Sequence, residues 1–383
     1  MNAIVIGASL ESVYAINKAK EMGITVYAID GDSSAYGLTL ADYSAVIDIK
    51  DIEAVSNYVE QNNIDFVIPV PIGKFLTTIG QINDKFDFKG ISYNAALNCI
   101  DKWEFHQLLN KKGLRNTESF LYNSELKKVL NTAFPVIAKP RFGSGSKGVV
   151  ELETVDEVSK LIKGLDEDYI IEEKFKGTEY GVDCQVINGD FDIILIREKE
   201  NTPPPFMQAV GYYSKFETNY KGALNKDVSL LLKQVTEVIG LDNCLIHVDL
   251  LVSEDELFIV ELSGRPSGHN LHNNFTIKAT GFDMVENYLN YQINNKNNVN
   301  IEKKCVAIHY YNLESGIVKS IPTDEFMSQC LEYKLNVALG DVIDQINNGP
   351  QLMSRGYFIV EGKNREELDL KIASVLNEFK VGG

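Results

Sequence analysis

FPVIAKPRFGSGSKGVV, residues 134–150, is the stretch on which the fold turns. An apolar run delivers Lys139 and Pro140 ends it; Gly143, Ser144, Gly145 and Ser146 follow, then Lys147, Gly148 and a second apolar run. The pattern predicts strand, flexible loop, strand, with a lysine on either side of the loop. Glycines let backbone N–H groups come close to an anion, and the lysines supply charge to hold phosphates. The Walker pattern G-x-x-x-x-G-K-[ST] is absent. Taken alone the loop reads either as a phosphate cradle or as a surface hairpin, and its neighbours decide between them.

The next cluster outward is YIIEEKFKGTEYGVD, residues 169–183, in which a strand carries Glu172 and Glu173, a turn follows at Gly177 and a second strand starts at Glu179. Carboxylates placed this way suit an adenine amino group and ribose hydroxyls, because an ionised carboxylate only accepts hydrogen bonds. Further on, IHVDLLVSEDELFIVELSGRPSG (246–268) predicts a hairpin with Asp249 on its first strand. The two-residue period of a strand puts Glu261, Ser263 and Arg265 of the second on one face. Converging carboxylates are hard oxygen ligands for Mg²⁺, and an arginine fork binds phosphoryl or carboxylate oxygens. An exposed strand with a solvated salt bridge is the alternative for this cluster by itself.

A chain of 383 residues holds two or three domains, and 44% hydrophobic with 24% charged residues is an ordinary globular composition. The formal net charge of -17 argues against a general nucleic-acid or anionic-membrane surface, while leaving room for a local basic pocket. Cys99, Cys184, Cys244, Cys305 and Cys330 lie far apart with no C-x-x-C pair, which fits a reducing cytosol. Neither an export signal nor a membrane span is expected, so the expected location is cytoplasmic. In the first 95 residues AIVIG (3–7), TVYAID (25–30), SAVID (44–48) and DFVIPV (65–70) read as parallel strands with helical crossovers between them. The first turn, Gly7 to Ser12, has one glycine where a dinucleotide fingerprint needs three. It either lines a cleft at the strand ends or is a plain turn. A helix-like stretch follows from Asn94 to about Lys112.

In this order the clusters resemble the ATP-grasp superfamily over nearly the whole chain. The resemblance implies a multidomain α/β and α+β fold. Its parts are an N-terminal open parallel α/β domain (1–95), a connecting helix (96–112), an ATP-grasp small lobe (113–175) and large lobe (176–300), and a C-terminal β-rich lid module (301–383). It implies that Lys102 and Lys139 are the two ATP lysines and that Ser144, Gly145 and Ser146 close over the phosphates. Glu172, Glu173 and Phe175 then form the adenine hinge, and Glu179 binds the ribose. Asp249 and Glu261 become the magnesium carboxylates, and Arg265 steadies an acyl phosphate. Ser263 stands where the family's E-x-N-x-R has asparagine; a serine hydroxyl can ligate Mg²⁺ or hold a ligand water, so metal binding is altered rather than lost. NTPPPFMQAVGYYSK (201–215) is similar to the proline-rich substrate loop of the L-amino-acid ligases, with Tyr212 where those commonly carry histidine.

Asparagine- and lysine-rich YLNYQINNKNNVNIEKK (288–304) reads as a connector to the C-terminal module. There CVAIHYY (305–311), GIVKSIP (316–322) and RGYFIVEGKN (355–364) are expected strands and REELDLKIASVLNEF a closing helix. Gly356 is where such a lid returns to the active site; Arg355 reaches a substrate carboxylate or is a surface arginine. His269 and His272, just past Arg265, either contact substrate and accept a proton or begin a helix with one ring buried against backbone.

The implied chemistry is transfer of the γ-phosphoryl group of ATP to a carboxylate, followed by attack of an amine on the acyl phosphate, with ADP and phosphate released. The expectation is an ADP-forming carboxylate–amine ligase that joins an amino acid to an amine or a second amino acid, a dipeptide being the first choice. The alternatives are a carboxylase or purine-type ligase acting on bicarbonate or formate, and an ATP-binding protein without turnover. ATP with Mg²⁺ (or Mn²⁺) is the expected cofactor set, the partners are small-molecule carboxylates and amines, and a homodimer is compatible.

Overall fold

A computed structural model of the chain describes residues 1–115, 117, 119–121, 134–143, 148–162, 168–202, 208–216, 227–253, 257–346 and 349–382. The N-terminal strand rhythm becomes a parallel sheet of order β3-β2-β1-β4, built from β1 (Asn2–Ile6), β2 (Thr25–Asp30), β3 (Tyr43–Val46) and β4 (Phe66–Val67). Ile4, Ile6, Tyr27 and Ile29 bury against the helices Ile52–Gln61 and Leu76–Phe86. Ala3, Val5, Val26 and Ala28 bury against Val13–Glu21 on the other face. Both faces of the sheet are therefore covered, as parallel sheets require.

The expected single helix from Asn94 to Lys112 is two, Tyr93–Ile100 and Lys102–Lys111. Asp101 breaks it: its carboxylate caps the second helix by accepting the N–H groups of Trp103 and Glu104 at 3.0 and 3.2 Å. Arg141 grips the same carboxylate with two nitrogens at 2.8 and 2.7 Å. This ties the helix to the small lobe. That lobe is an antiparallel sheet of order β5-β8-β6-β7, from β5 (Ser119–Leu121), β6 (Val136–Pro140), β7 (Val150–Leu152) and β8 (Tyr169–Glu173). Strands β6 and β7 flank the glycine-rich loop, of which residues 144–147 lie outside the described ones.

The large lobe opens with β9 (Thr178–Ile187), β10 (Asp190–Asn201), β11 (Ala209–Lys215), β12 (Cys244–Val252) and β13 (Leu257–Ser263). The C-terminal segment supplies β14 (Val306–Tyr310), β15 (Gly316–Ser320), β16 (Glu332–Leu335), β17 (Val342–Ile343), β18 (Gly356–Glu361) and β19 (Lys380–Gly382). These do not all form a module of their own. Strands β14, β18 and β16 continue the large-lobe sheet, giving the order β13-β12-β9-β10-β11-β14-β18-β16, while β17, β15 and β19 make a separate small sheet. The connector also begins later than its composition suggests, because the helix Met284–Asn294 runs through Tyr288 and Tyr291. Met284, Val285, Tyr288 and Leu289 bury a stripe with i, i+1, i+4, i+5 spacing against the N-terminal domain. No helix among the described residues is long and apolar enough to cross a membrane.

Candidate active site

Strand register gathers the polar residues of the large lobe on one face. Opposite Asp249 on β12 stand Gly181 on β9 and Glu261 on β13; opposite His247 stand Asp183 and Ser263. Arg197 on β10 faces Gly181, and Lys199 faces Tyr212 on β11. Alternation then puts Glu179, Asp183, Arg197, Lys199, Tyr212, His247, Asp249, Glu261 and Ser263 on that face, while Val182, Ile196, Ile246 and Val248 pack into the core behind it.

Charge pairs wire this face together. Lys199 and Asn201 both donate to Glu179, the asparagine at 2.7 Å. Arg197 is wholly buried; one terminal nitrogen donates to Asp183 and the other lies 3.2 Å from His247 Nδ1. Arginine only donates, so Nδ1 is the acceptor and the proton sits on Nε2, 3.6 Å from Asp249 Oδ2. Thr276 Oγ1 donates to Asp183 at 2.6 Å. Burial acts to raise both carboxyls, but Arg197 beside Asp183, and His247 with Lys199 beside Asp249, outweigh it and hold both below the usual carboxylate range. A Cβ on Gly181 would sit 3.0 Å from the Arg197 terminal nitrogen, so the absence of a side chain there makes room for the guanidinium.

The small lobe presents a second buried cluster across the cleft. Lys139 Nζ lies 2.6 Å from one Glu172 oxygen and an Arg115 nitrogen 2.6 Å from the other, all three residues being buried. His106 and Ser119 complete it at 2.8 Å. Burial, with Lys139 and Arg115 close by, holds the His106 imidazole well below its ordinary value, leaving it neutral. Two cations thus share one carboxylate, and the cluster carries an excess of positive charge. Lys102, at the start of its helix, donates to the Gly143 carbonyl at 2.5 Å, at the mouth of the glycine-rich loop. Burial lowers its pKa; Glu261 opposes and Lys139 adds to the drop, so Lys102 feels both lobes. Phe175, in the segment joining β8 to β9, stacks on Phe258 with ring centroids 5.2 Å apart. Glu173 is exposed, so of the two adjacent glutamates only Glu172 faces inward.

Asp249 and Glu261 stand side by side on adjacent strands, with the Ser263 hydroxyl one register step away. That is a hard-oxygen set of two carboxylates and a hydroxyl, and it fits Mg²⁺, which uses one or two carboxylates and takes its remaining oxygens from phosphates and water. Among the described residues no three His, Cys, Asp or Glu side chains group to hold a metal.

Beyond β13 the chain turns sharply. Arg265 donates to the Pro266 carbonyl at 2.8 Å, His269 and Asn270 both adopt left-handed backbone with φ of 61° and 62°, and one wide π-helical turn spans Leu271–Phe275. Glu11, from the first turn of the N-terminal domain, accepts the His269 N–H at 3.0 and 3.1 Å and lies 3.5 Å from its Nδ1. Tyr310 of β14 donates to the His269 carbonyl at 2.8 Å. Burial holds the His269 ring below the ordinary imidazole value, Glu11 opposing and Arg265 with His247 reinforcing.

Two expected substrate contacts are placed elsewhere. His272 is buried, with Nδ1 against the Ser267 carbonyl and its ring edge-on to Tyr14, so it supports the turn. Arg355 is buried in the C-terminal segment and spends its guanidinium on the carbonyls of Asp344 at 2.5 Å and Tyr311 at 3.4 Å. Tyr212 is buried on the polar face beside Lys199, and burial raises its phenol. Ser144, Gly145 and Ser146, and residues 203–207 of the proline-rich loop, lie outside the described residues. Sequence reasoning passed over Asp183, Arg197, Lys199 and Arg115. Extending the two-residue alternation from Glu179 to Asp183, and from Arg197 to Lys199, finds three of them, while Arg115 has no periodic signal.

The family profile for the ATP-grasp domain matches residues 132–273. The formate-dependent phosphoribosylglycinamide formyltransferase of Prochlorococcus marinus (strain MIT 9301) is 26% identical over 270 residues, 65% of this chain and 66% of that protein, about two thirds of each. Among solved structures, an L-amino acid ligase from Bacillus licheniformis superposes with a TM-score of 0.80 at 16% identity, covering 100% of this chain and 98% of that one. N5-carboxyaminoimidazole synthetase from Staphylococcus aureus complexed with ADP superposes with a TM-score of 0.76 at 14% identity, covering 98% and 96%.

Proposed function

Because residues 132–273 match the ATP-grasp domain, we propose that the chain is an ATP-dependent carboxylate–amine ligase, activating a carboxylate as an acyl phosphate and joining it to an amine with release of ADP and phosphate. The observation that carries this reading is Lys102, which donates to the Gly143 carbonyl at the mouth of the glycine-rich loop and feels both Lys139 of the small lobe and Glu261 of the large lobe. Phosphoryl transfer asks little of a protein except positioning and charge neutralisation, and these are the groups that supply both. Lys102 and Lys139 take phosphate oxygens; Glu172 and Glu179 accept from the adenine amino group and the ribose hydroxyls, with Phe175 at the hinge. Ser144, Gly145 and Ser146, which continue from Gly143, are assigned to the phosphates. Asp249 and Glu261, with Ser263 directly or through a water, would hold Mg²⁺, which when bound neutralises phosphate charge. Arg265 steadies the oxygens of the acyl phosphate in fork geometry. Tyr212 lines the substrate end of the polar face.

We assign the carboxylate to an amino acid and the amine to a second amino acid or a small amine. A second reading, formate with a phosphorylated glycinamide-type amine, is favoured by the names of the sequence relatives. The test is ADP and phosphate release with Mg²⁺-ATP against single amino acids, all pairs of them, formate and bicarbonate, with mass spectrometry of the products. Release that needs two amino acids and yields their condensed mass supports the first reading, and release that needs formate moves it to the second. ATP binding with no carboxylate-dependent release overturns the ligase.

A further inference from the structure

We propose that Glu11 and His269 form a carboxylate–imidazole dyad across the junction of the N-terminal domain and the large lobe, in which His269 Nε2 takes the proton of the attacking amine and Glu11 is its positioning residue. The proposal rests on the ligase reading and assigns its amine step. Glu11 meets His269 with its carboxylate oxygens, two contacts to the backbone N–H and one to the ring nitrogen Nδ1. A carboxylate only accepts, so Glu11 favours the tautomer with its hydrogen on Nδ1 and its lone pair on Nε2. At 3.5 Å the Nδ1 contact is longer than a made hydrogen bond. Catalytic contacts of this kind tighten when substrate fills the site.

The backbone supports the assignment independently. Two consecutive residues that are not glycine, His269 and Asn270, hold φ near +60°. Such conformations persist where the surroundings over-determine them. Here the surroundings are explicit: Glu11 grips the N–H from one domain and Tyr310 the carbonyl from the C-terminal strand β14. Glu11 is itself fixed, since its own N–H donates to Ser9 Oγ at 3.3 Å and the turn is tied to β2 by Ala8 N–H donating to Asp30 at 2.7 Å.

The remaining imidazoles of the cleft are committed. His247 lies between Arg197 and Asp249, and His272 is turned to the Ser267 carbonyl. The His269 side chain keeps 43% of its surface accessible. The charged groups that bear on it are Glu11, which favours its protonated form, and Arg265 and His247, which disfavour it along with burial. The ring is therefore neutral at pH 7 and able to accept a proton. In the step, the amine nitrogen's lone pair forms the C–N bond while its proton passes to Nε2. The C–O bond to the phosphoryl group breaks, its electron pair leaving on inorganic phosphate, and the imidazolium then returns its proton to solvent.

Hydroxylamine separates the half-reactions, because it is unprotonated at neutral pH and traps acyl phosphates as hydroxamates without help from a base. With the full chain, Mg²⁺-ATP and, as carboxylate, each amino acid and formate of the panel in turn, His269→Asn and Glu11→Gln should keep hydroxamate formation within about twofold while losing amine-dependent product on the order of 10²-fold. The acid limb of the remaining Glu11→Gln ligation should move to lower pH, since the carboxylate that raised the His269 pKa is gone, and Glu11→Asp should recover part of the rate. Wild-type ligation with an unmoved acid limb in Glu11→Gln overturns the dyad, as does a raised KM for the amine at unchanged kcat, which would make Glu11 a substrate contact. Parallel loss of hydroxamate would make the pair structural and also overturn it. If the wild type forms neither hydroxamate nor product with any carboxylate, the ligase reading fails and the dyad with it.

Discussion

Arg197 is the residue that most rewards attention at the smallest scale, because a fully buried guanidinium has one paired carboxylate, one imidazole and no water to fall back on. Removing one partner of such a pair strands the other, at about 3–5 kcal/mol. Arg197→Met should lower the midpoint of chemical denaturation accordingly, and a loss under about 1 kcal/mol would show that the pair is not holding the sheet. The pH dependence follows from Asp183, whose carboxyl is held below its ordinary 3.8. A depressed acid contributes stability that is present above the unfolded-state value and lost as pH falls through the folded-state value. The wild type should therefore shed stability below about pH 4, and Asp183→Asn, already weaker at neutral pH, should shed less over the same range; identical slopes would refute this. At this scale the sequence was legible where chemistry announces itself: Lys102, Lys139, Asp249 and Glu261 could be named from spacing and resemblance. Arg115 and His269's link to Glu11 could not, since both depend on where a loop ends in space.

Among the elements, the strands that carry the site were readable because alternation is a local signal. The hairpin that opposes Asp249 to Glu261 follows from the two apolar runs and the polar turn between them. The helix from Asn94 to Lys112 misled because Asp101 lies inside a continuous helical pattern yet acts as a cap. Gly356, at the head of β18, shows what such a local constraint costs. Its φ is +99° and an added Cβ would fall 1.9 Å from the Lys334 carbonyl oxygen on the paired strand β16. Gly356→Ala should destabilise by about 2–4 kcal/mol through strain and overpacking together. Differential scanning calorimetry would register this as a lowered Tm, and an unchanged Tm would mean that β16 yields freely.

For the molecule as a whole, the order of the large sheet is the feature that no window of sequence contains, because β11 pairs with β14 some ninety residues later. The join between N-terminal domain and large lobe is likewise non-local: Ile187, Leu245, Tyr288 and Leu289 share a core with Ala3, Val5 and Val26. Tyr14 donates to Asp283 at 2.5 Å and Lys18 pairs with Glu286 at 3.0 Å at its edge. A chain reduced to residues 96–383 should accordingly expose that apolar surface and associate, as light scattering would report, and a monodisperse truncated chain would contradict the shared core.

The chain has one tryptophan, Trp103, and the Asp101 cap places it beside Lys102 on the helix that Arg141 binds to the small lobe. The protein therefore comes with a single indole, read apart from its 18 tyrosines by exciting at the red edge of the absorption band, on the helix that carries Lys102. Its emission in a titration with ADP needs no dye and no engineered probe, and any change in colour or intensity can be credited to that one indole.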